Sequence, residues 1–340
     1  MRFVVVAAVP ALLLMACAQG QTASEGEGDG DEGDAEGEGE GAAEGEGEGE
    51  SSVPSIGGCP VFPADDPWNQ DVLDAVVDED WTTRLQSFTD VDLHPDFGNV
   101  EDEHFGIPIN VVPEGTTRVS ISFDFDDESD AGPYPIPDPD EVLVEGGSGR
   151  DCSGDCHILV VEQGACTLFE AFGCLFDGGW RCGSGAIFDM ARVSEGQRPL
   201  GLTSADAAGL SITAGLARYD EAAAGLIPHA LRFTTHCTQN HFVSPASHHA
   251  VPEGCDDDDD GAPPMGLRVR LRSDFSEVGF SPIPLAFIHA MKIHGMILAD
   301  NGSDFFFQSA DDPRWTDDLD ELKDIPSSAF EAVDVGLFLP

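Results

Sequence analysis

Residues 157–190 read HILVVEQGACTLFEAFGCLFDGGWRCGSGAIFDM, and the fold class is decided there. Two apolar runs, 157–161 and 166–172, are parted by Gln163 and Gly164, turn residues that predict a β-hairpin. Closed at that turn, the hairpin sets Val161 opposite Cys166, Leu159 opposite Leu168 and His157 opposite Glu170. A second turn at Asp177-Gly178-Gly179 sets Phe176 opposite Trp180 and Cys174 opposite Cys182. Cross-strand Cβ atoms lie within about 5.5 Å, so these two cysteines are placed to form a disulfide. Leu159, Leu168, Phe172 and Phe176 fall on one face; Ile158, Val160, Phe169 and Leu175 fall on the other. Both faces need covering, which predicts a mainly β, sandwich-like single domain with one long and a few short helices, α+β being the alternative.

On either side of this stretch the elements are shorter. A helix is expected near Asp71 to Phe88, and Val119, Ile121, Phe123 and Phe125 alternate as a half-buried strand within 117–125. Val142 to Glu145 begins a run of β elements, and His229 to Thr235 and Leu267 to Leu271 alternate like strands. The Ala/Gly-rich 203–225 segment reads as loop with short helical turns, one from Asp220 to Ala224 closed by Gly225. Ser281-Pro282 starts the long helix, which Gly295 ends. Asn301-Gly302, between Met296 to Ala299 and Asp304 to Phe307, is a strong hairpin signal. Asp317 to Lys323 reads as a short acidic helix, and Phe330 to Val335 as a last strand.

The amino-terminal region argues for export. Residues 3–15 are apolar but too short to span a bilayer, and they end in small residues before Cys17. Leu14-Met15-Ala16-Cys17 resembles the lipobox of bacterial lipoproteins, which implies that residues 1–16 are a signal peptide and that Cys17 carries the lipid. An ordinary secretory signal cut nearby would export the chain equally. From Glu25 to Glu50 there are 13 acidic residues and 10 glycines, with no apolar residue larger than alanine. Such a stretch cannot bury enough surface to offset its ordering entropy, so 17–52 reads as a disordered, charge-extended tether before a domain at 53–340. An acidic calcium-binding tail would need a fixed cage of oxygens, which alternating Glu and Gly does not offer.

Removing the tether's acids and Arg2 from totals of 65 acidic and 15 basic residues leaves 52 and 14, a net of about −38 for the domain. That field repels nucleic acid and anionic headgroups. Cys17 aside, eight cysteines in an exported chain read as up to four disulfides. Cys152 and Cys156 are spaced for a small disulfide loop, and Cys237 and Cys255 bracket what looks like a disulfide-closed loop.

His157 facing Glu170 on an apolar face is the sharpest candidate for chemistry, an imidazole beside a desolvated carboxyl that could act as acid and base in a hydrolase or lyase. The structural alternative is a buried polar pair satisfying itself. Tyr219, His229 and Arg232 form a second candidate, a proton-abstracting Tyr or His beside a carboxylate-neutralising Arg, as in a polysaccharide lyase. His236, His241, His248 and His249 have neither helical-zinc nor finger spacing, and Asp256 to Asp260 lacks the alternation of an EF-hand, so no metal or cofactor is expected. Gly183-Ser184-Gly185 lacks the elbow of a serine hydrolase.

Several stretches resemble a family of uncharacterised exported bacterial proteins: Cys59-Pro-Val-Phe-Pro with Trp68-Asn69, Leu93-His-Pro-Asp-Phe-Gly98, Gly132-Pro-Tyr-Pro-Ile-Pro137, Gly183-Ser-Gly-Ala-Ile-Phe-Asp189, Ser204-Ala-Asp-Ala-Ala-Gly-Leu210, His229-Ala-Leu-Arg-Phe233 and Gly295-Met-Ile-Leu-Ala-Asp-Asn-Gly-Ser303. The resemblance implies a single domain and a Cys59 to Cys166 disulfide, and carries over no catalytic residue. The expectation is a surface-anchored extracytoplasmic lipoprotein, held to a bacterial membrane through Cys17, that binds polysaccharide and cleaves it if it is an enzyme. The alternative is a non-catalytic envelope interaction or structural lipoprotein.

Overall fold

Two short strands, β1 (Ser55–Ile56) and β2 (Cys59–Pro60), open the computed structural model, which describes residues 53–97, 106–255 and 261–339. The export signal, Cys17, the tether and Asp256 to Asp260 fall outside the described residues. Helix α1 (Glu79–Phe88) is shorter than expected because Asp78 caps it, accepting from Trp81 N at 2.9 Å. Asp71 instead closes a local turn, accepting from Leu73 N at 2.7 Å.

Strands β3 (His94–Pro95), β4 (Ile109–Val112) and β5 (Ile121–Phe123) are followed by a small hairpin of β6 (Leu143–Val144) and β7 (Gly147–Ser148). Strands β8 (Ile158–Glu162) and β9 (Thr167–Phe172) then form the expected hairpin, in a register two residues from the expected one: Val161 faces Leu168, and Leu159 faces Glu170. Gln163 to Cys166 all lie in the turn, since Cys166 leaves the ladder at φ 49° to bond Cys59. A slip of two keeps every side chain on its face but displaces partners along it. His157 and Glu170 therefore do not meet; the His157 ring lies 5.5 Å from that of Phe172.

Strands β10 (Leu175–Phe176) and β11 (Trp180–Cys182) pair as read, with Phe176 opposite Trp180, and β5 joins β11 in parallel. Strand β12 (Ser184–Asp189) completes a four-stranded sheet ordered β12-β9-β8-β4. All four disulfides are present: Cys59–Cys166, Cys152–Cys156, Cys174–Cys182 and Cys237–Cys255. Replacing Cys174 and Cys182 together by Ser is expected to cost about 2–3 kcal/mol through the short loop they close. Urea unfolding would show it as a lower midpoint, and an unchanged midpoint would count against it.

Helices α2 (Ile212–Gly215) and α3 (Tyr219–Ala223) lead into β13 (Leu231–Thr235) and β14 (Arg268–Leu271). Helix α4 (Pro282–Ile293) begins with Pro in its first turn and stops at Gly295, φ 74°. Strands β15 (Met296–Asn301), β16 (Phe306–Phe307) and β17 (Phe330–Ala332) complete a six-stranded mixed sheet ordered β17-β14-β15-β13-β16-β3.

The Asn301-Gly302 signal did not produce a hairpin. Strand β13 stands between β15 and β16, pairing in parallel with one and antiparallel with the other. The turn folds over the end of β13, where Gly302 N donates to Thr235 O at 3.0 Å and Thr234 Oγ1 to Ser303 O at 2.6 Å. A Cβ on Gly302 would stand 2.9 Å from Thr234 Oγ1, so the close approach requires glycine.

Both faces of the four-stranded sheet are covered. Val161, Leu168, Ala186 and Phe188 belong to the main core with β13 to β15 and α4, while Ile158, Val160, Phe169 and Ala171 pack with Tyr134, Trp180 and the Cys174–Cys182 bridge. The protein is mainly β, as the apolar faces required. No helix among the described residues is long and apolar enough to cross a membrane.

Candidate functional site

Arg232 alternates off the apolar face of β13 and is 3% exposed, so its charge must be met inside the protein. Asp206, 1% exposed, meets it in a two-point bond: Arg232 Nε donates to Oδ2 at 3.0 Å and Nη2 to Oδ1. Arg232 Nη1 donates to Gln308 Oε1 just beyond β16. Asp300 stands at the end of β15, its Oδ2 3.7 Å from Arg232 Nη2, with Oδ1 accepting from Asn301 N at 2.8 Å. Burial, then the charge of Asp206, outweighs Arg232 and pushes the Asp300 carboxyl up to about 8. Asp300 thus carries a proton at neutral pH.

A second pair faces the same space. His157, at the entrance to β8, binds Glu145 Oε2 through Nδ1, and its backbone N–H donates to the same oxygen at 3.4 Å. Burial would lower the imidazole pKa, but the bond and charge of Glu145 carry it up to about 9. Burial would likewise raise Glu145, yet His157 holds it below the ordinary range. The result is an imidazolium beside a carboxylate. His157 Nε2 is buried and has no hydrogen-bond partner among the described residues.

Arg232, Gln308, Asp300, His157 and Glu145 line one cavity of about 190 Å³, together with Asp96, whose carboxyl burial pushes up. It adjoins a space of about 300 Å³ lined by Phe125, Phe172 and His248, and another of about 670 Å³ reaching Gly146 and Asp311. Asp155 lines all three.

Of the residues singled out by sequence, His157 and Arg232 reach this cleft, from different sheets. Glu170 does not. It is fully buried and accepts from Ser211 Oγ, Ile212 N and Thr213 N at 3.0, 3.1 and 2.8 Å, holding the start of α2. Tyr219 and His229 are not gathered with Arg232 either. Tyr219 packs edge-on to Trp315 beneath Arg314. His229 is fully buried, its Nδ1 donating to Ala230 O at 2.7 Å, and burial followed by the Arg218 charge lowers its pKa. His236 pairs with Asp304 and His248 with the Ala207 carbonyl, and among the described residues no three His, Cys, Asp or Glu side chains converge to hold a metal.

Asp206, Asp300, Glu145 and Gln308 escaped the sequence reading. One signal was available: Asp206 stands alone among small residues and Asp300 ends an apolar strand, and a buried acid of that kind requires a buried base. No protein-family model, curated protein or solved structure matches the chain, which leaves the resemblance described above where the sequence put it.

Proposed function

We propose that the protein is a lipid-anchored extracytoplasmic glycosidase acting on polysaccharide. The observation that carries this reading is one cavity lined by a carboxyl that is protonated at neutral pH, Asp300, and a carboxylate held ionised by an imidazolium, Glu145. Glycoside hydrolysis needs two carboxyls whose environments drive their pKa values apart in this way. Asp300 gives its proton to the bridging oxygen as the glycosidic C–O bond breaks. Water adds to the anomeric carbon, and its proton passes to Glu145, whose Oε2 is occupied by His157 while Oε1 makes no hydrogen bond among the described residues. The Arg232–Asp206 pair holds the floor in place, while burial first and the Asp206 charge second keep Asp300 protonated against the pull of Arg232. Arg232 is engaged on both sides and does not neutralise a substrate carboxylate, which favours hydrolysis over a lyase acting on uronates. The leader, Cys17 and the four disulfides support export and anchoring, with the bilayer and polysaccharide as partners.

The test is release of reducing ends by the purified protein from a panel of bacterial and plant polysaccharides. The expected kcat/KM is level across neutral pH and falls tenfold per pH unit above about 8, as Asp300 loses the proton it must donate. On the acid side it persists to lower pH than an ordinary glutamate would allow, because His157 holds the Glu145 pKa down. Binding without turnover would overturn hydrolysis in favour of a non-catalytic interaction protein. Failure to bind any glycan would overturn the reading altogether.

A further inference from the structure

Asp155 lies between Cys152 and Cys156, and the disulfide joining these two closes a loop that holds it over the cleft. The turn is tight: Gly154 has φ 108° and Cys156 φ 54°, and Asp155 O accepts from Gly173 N at 2.9 Å. Its side chain is exposed, and its carboxylate makes neither a hydrogen bond nor an ion pair among the described residues. It is also the residue shared by all three adjoining spaces. Around it the charges do not balance. Arg232 is matched by Asp206 and His157 by Glu145, so among the described residues lining the cavity no basic side chain is left over for Asp155.

An acidic cleft alone specifies nothing, but a second group in it also awaits a ligand. His157 is 3% exposed, lines the cavity, and presents a buried Nε2 with no partner. As an imidazolium it is a hydrogen-bond donor and calls for an oxygen acceptor. A ligand that satisfies both groups offers a hydroxyl to His157 and a positive charge to Asp155.

Resting on the polysaccharide reading, we propose that the substrate is a glycan with unsubstituted amino groups, and that Asp155 is the residue that recognises the ammonium. A neutral sugar would leave Asp155 unmatched, and a uronate would bring a further negative charge beside Glu145 and Asp155. The chain's own charge of −50 repels a polyanion at longer range. The 300 Å³ space, with Phe125 and Phe172 in its wall, suits the apolar face of a neighbouring ring.

The experiment is calorimetric titration of the full protein at pH 6 with glucosamine and galactosamine oligomers in free-amine and N-acetylated forms, and with cello- and galacturono-oligosaccharides. The free-amine forms are expected to bind at least tenfold more tightly than their acetylated counterparts. Raising the salt is expected to erode that preference. Asp155→Asn, at an exposed site, is expected to reduce it to about threefold or less. Equal binding of acetylated, neutral or uronate oligomers, or a preference intact in Asp155→Asn, would overturn this inference while leaving the polysaccharide reading standing. Failure of every glycan to bind would bring both down.

Discussion

Asp300→Asn is expected to abolish turnover while making the protein more stable. The amide cannot supply the proton that the leaving oxygen needs, and loss of a general acid costs about a thousandfold in kcat. It does reproduce the neutral carboxyl sterically, keeping an oxygen for Asn301 N and an N–H to donate toward Asp206 as the protonated acid does. The stability effect has a definite sign. Asp300 has a folded pKa of about 8 against 3.8 for the exposed group, so between those values the native state binds the extra proton and stability declines as pH rises, levelling off above 8. Asparagine does not titrate. Its advantage should therefore be absent near pH 4, grow through neutrality and reach about 2–3 kcal/mol above pH 8, a figure discounted because the side chain is a quarter exposed. Urea unfolding at pH 4, 6 and 8.5 measures it. A gain that does not grow with pH would show that burial does not hold the proton on Asp300, and unimpaired turnover would remove it from the mechanism.

Glu170→Ala is expected to be among the most damaging single substitutions in the domain, for structural reasons. Glu170 is completely enclosed, and its two oxygens take three donors from the first turn of α2. Burial raises its pKa against the pull of Thr213, but the three donors remain whatever its protonation. Truncation leaves all of them buried without an acceptor and opens a void between β9 and α2, a loss of about 3–5 kcal/mol. Glu170→Gln should recover part of it, since one amide oxygen is retained while the NH2 group faces N–H donors. Chemical denaturation of the three proteins checks the order, and a truncation costing under about 1 kcal/mol would refute it.

The contrast between these two carboxyls shows what the sequence could convey. Glu170 looked functional because it was charged in an apolar strand and faced His157 in an assumed two-residue turn. Cross-linking of Cys166 lengthened that turn, and parity kept the face while proximity was lost. The Cys174–Cys182 pairing was legible because both the turn and the opposed sulfurs are local in sequence. The cleft is not local. Asp206 and Arg232 are 26 residues apart, and Glu145 comes from the β6–β7 turn while Asp300 comes from the six-stranded sheet, so no spacing rule could bring them together. Asp300 was hidden for a further reason. Ala-Asp-Asn-Gly has the chemistry of a tight turn between paired strands, and only the insertion of β13 between those strands turns it into a cleft wall. Local signals and tertiary placement disagree where the candidate chemistry sits, as is common at functional sites.

The Cys59–Cys166 bridge closes 107 residues of separation, and Cys59 stands only six positions after the first described residue. Mechanical load arriving from the amino-terminal side therefore enters the domain through a covalent crosslink. Once the short β1 strand ahead of Cys59 has given way, it is handed directly to the turn of the central hairpin, bypassing everything between Cys59 and Cys166. Peeling the domain open beyond Cys59 would require breaking a sulfur–sulfur bond or shearing β8 from β9, and the cleft built on the entrance to β8 is shielded from forces applied at that end.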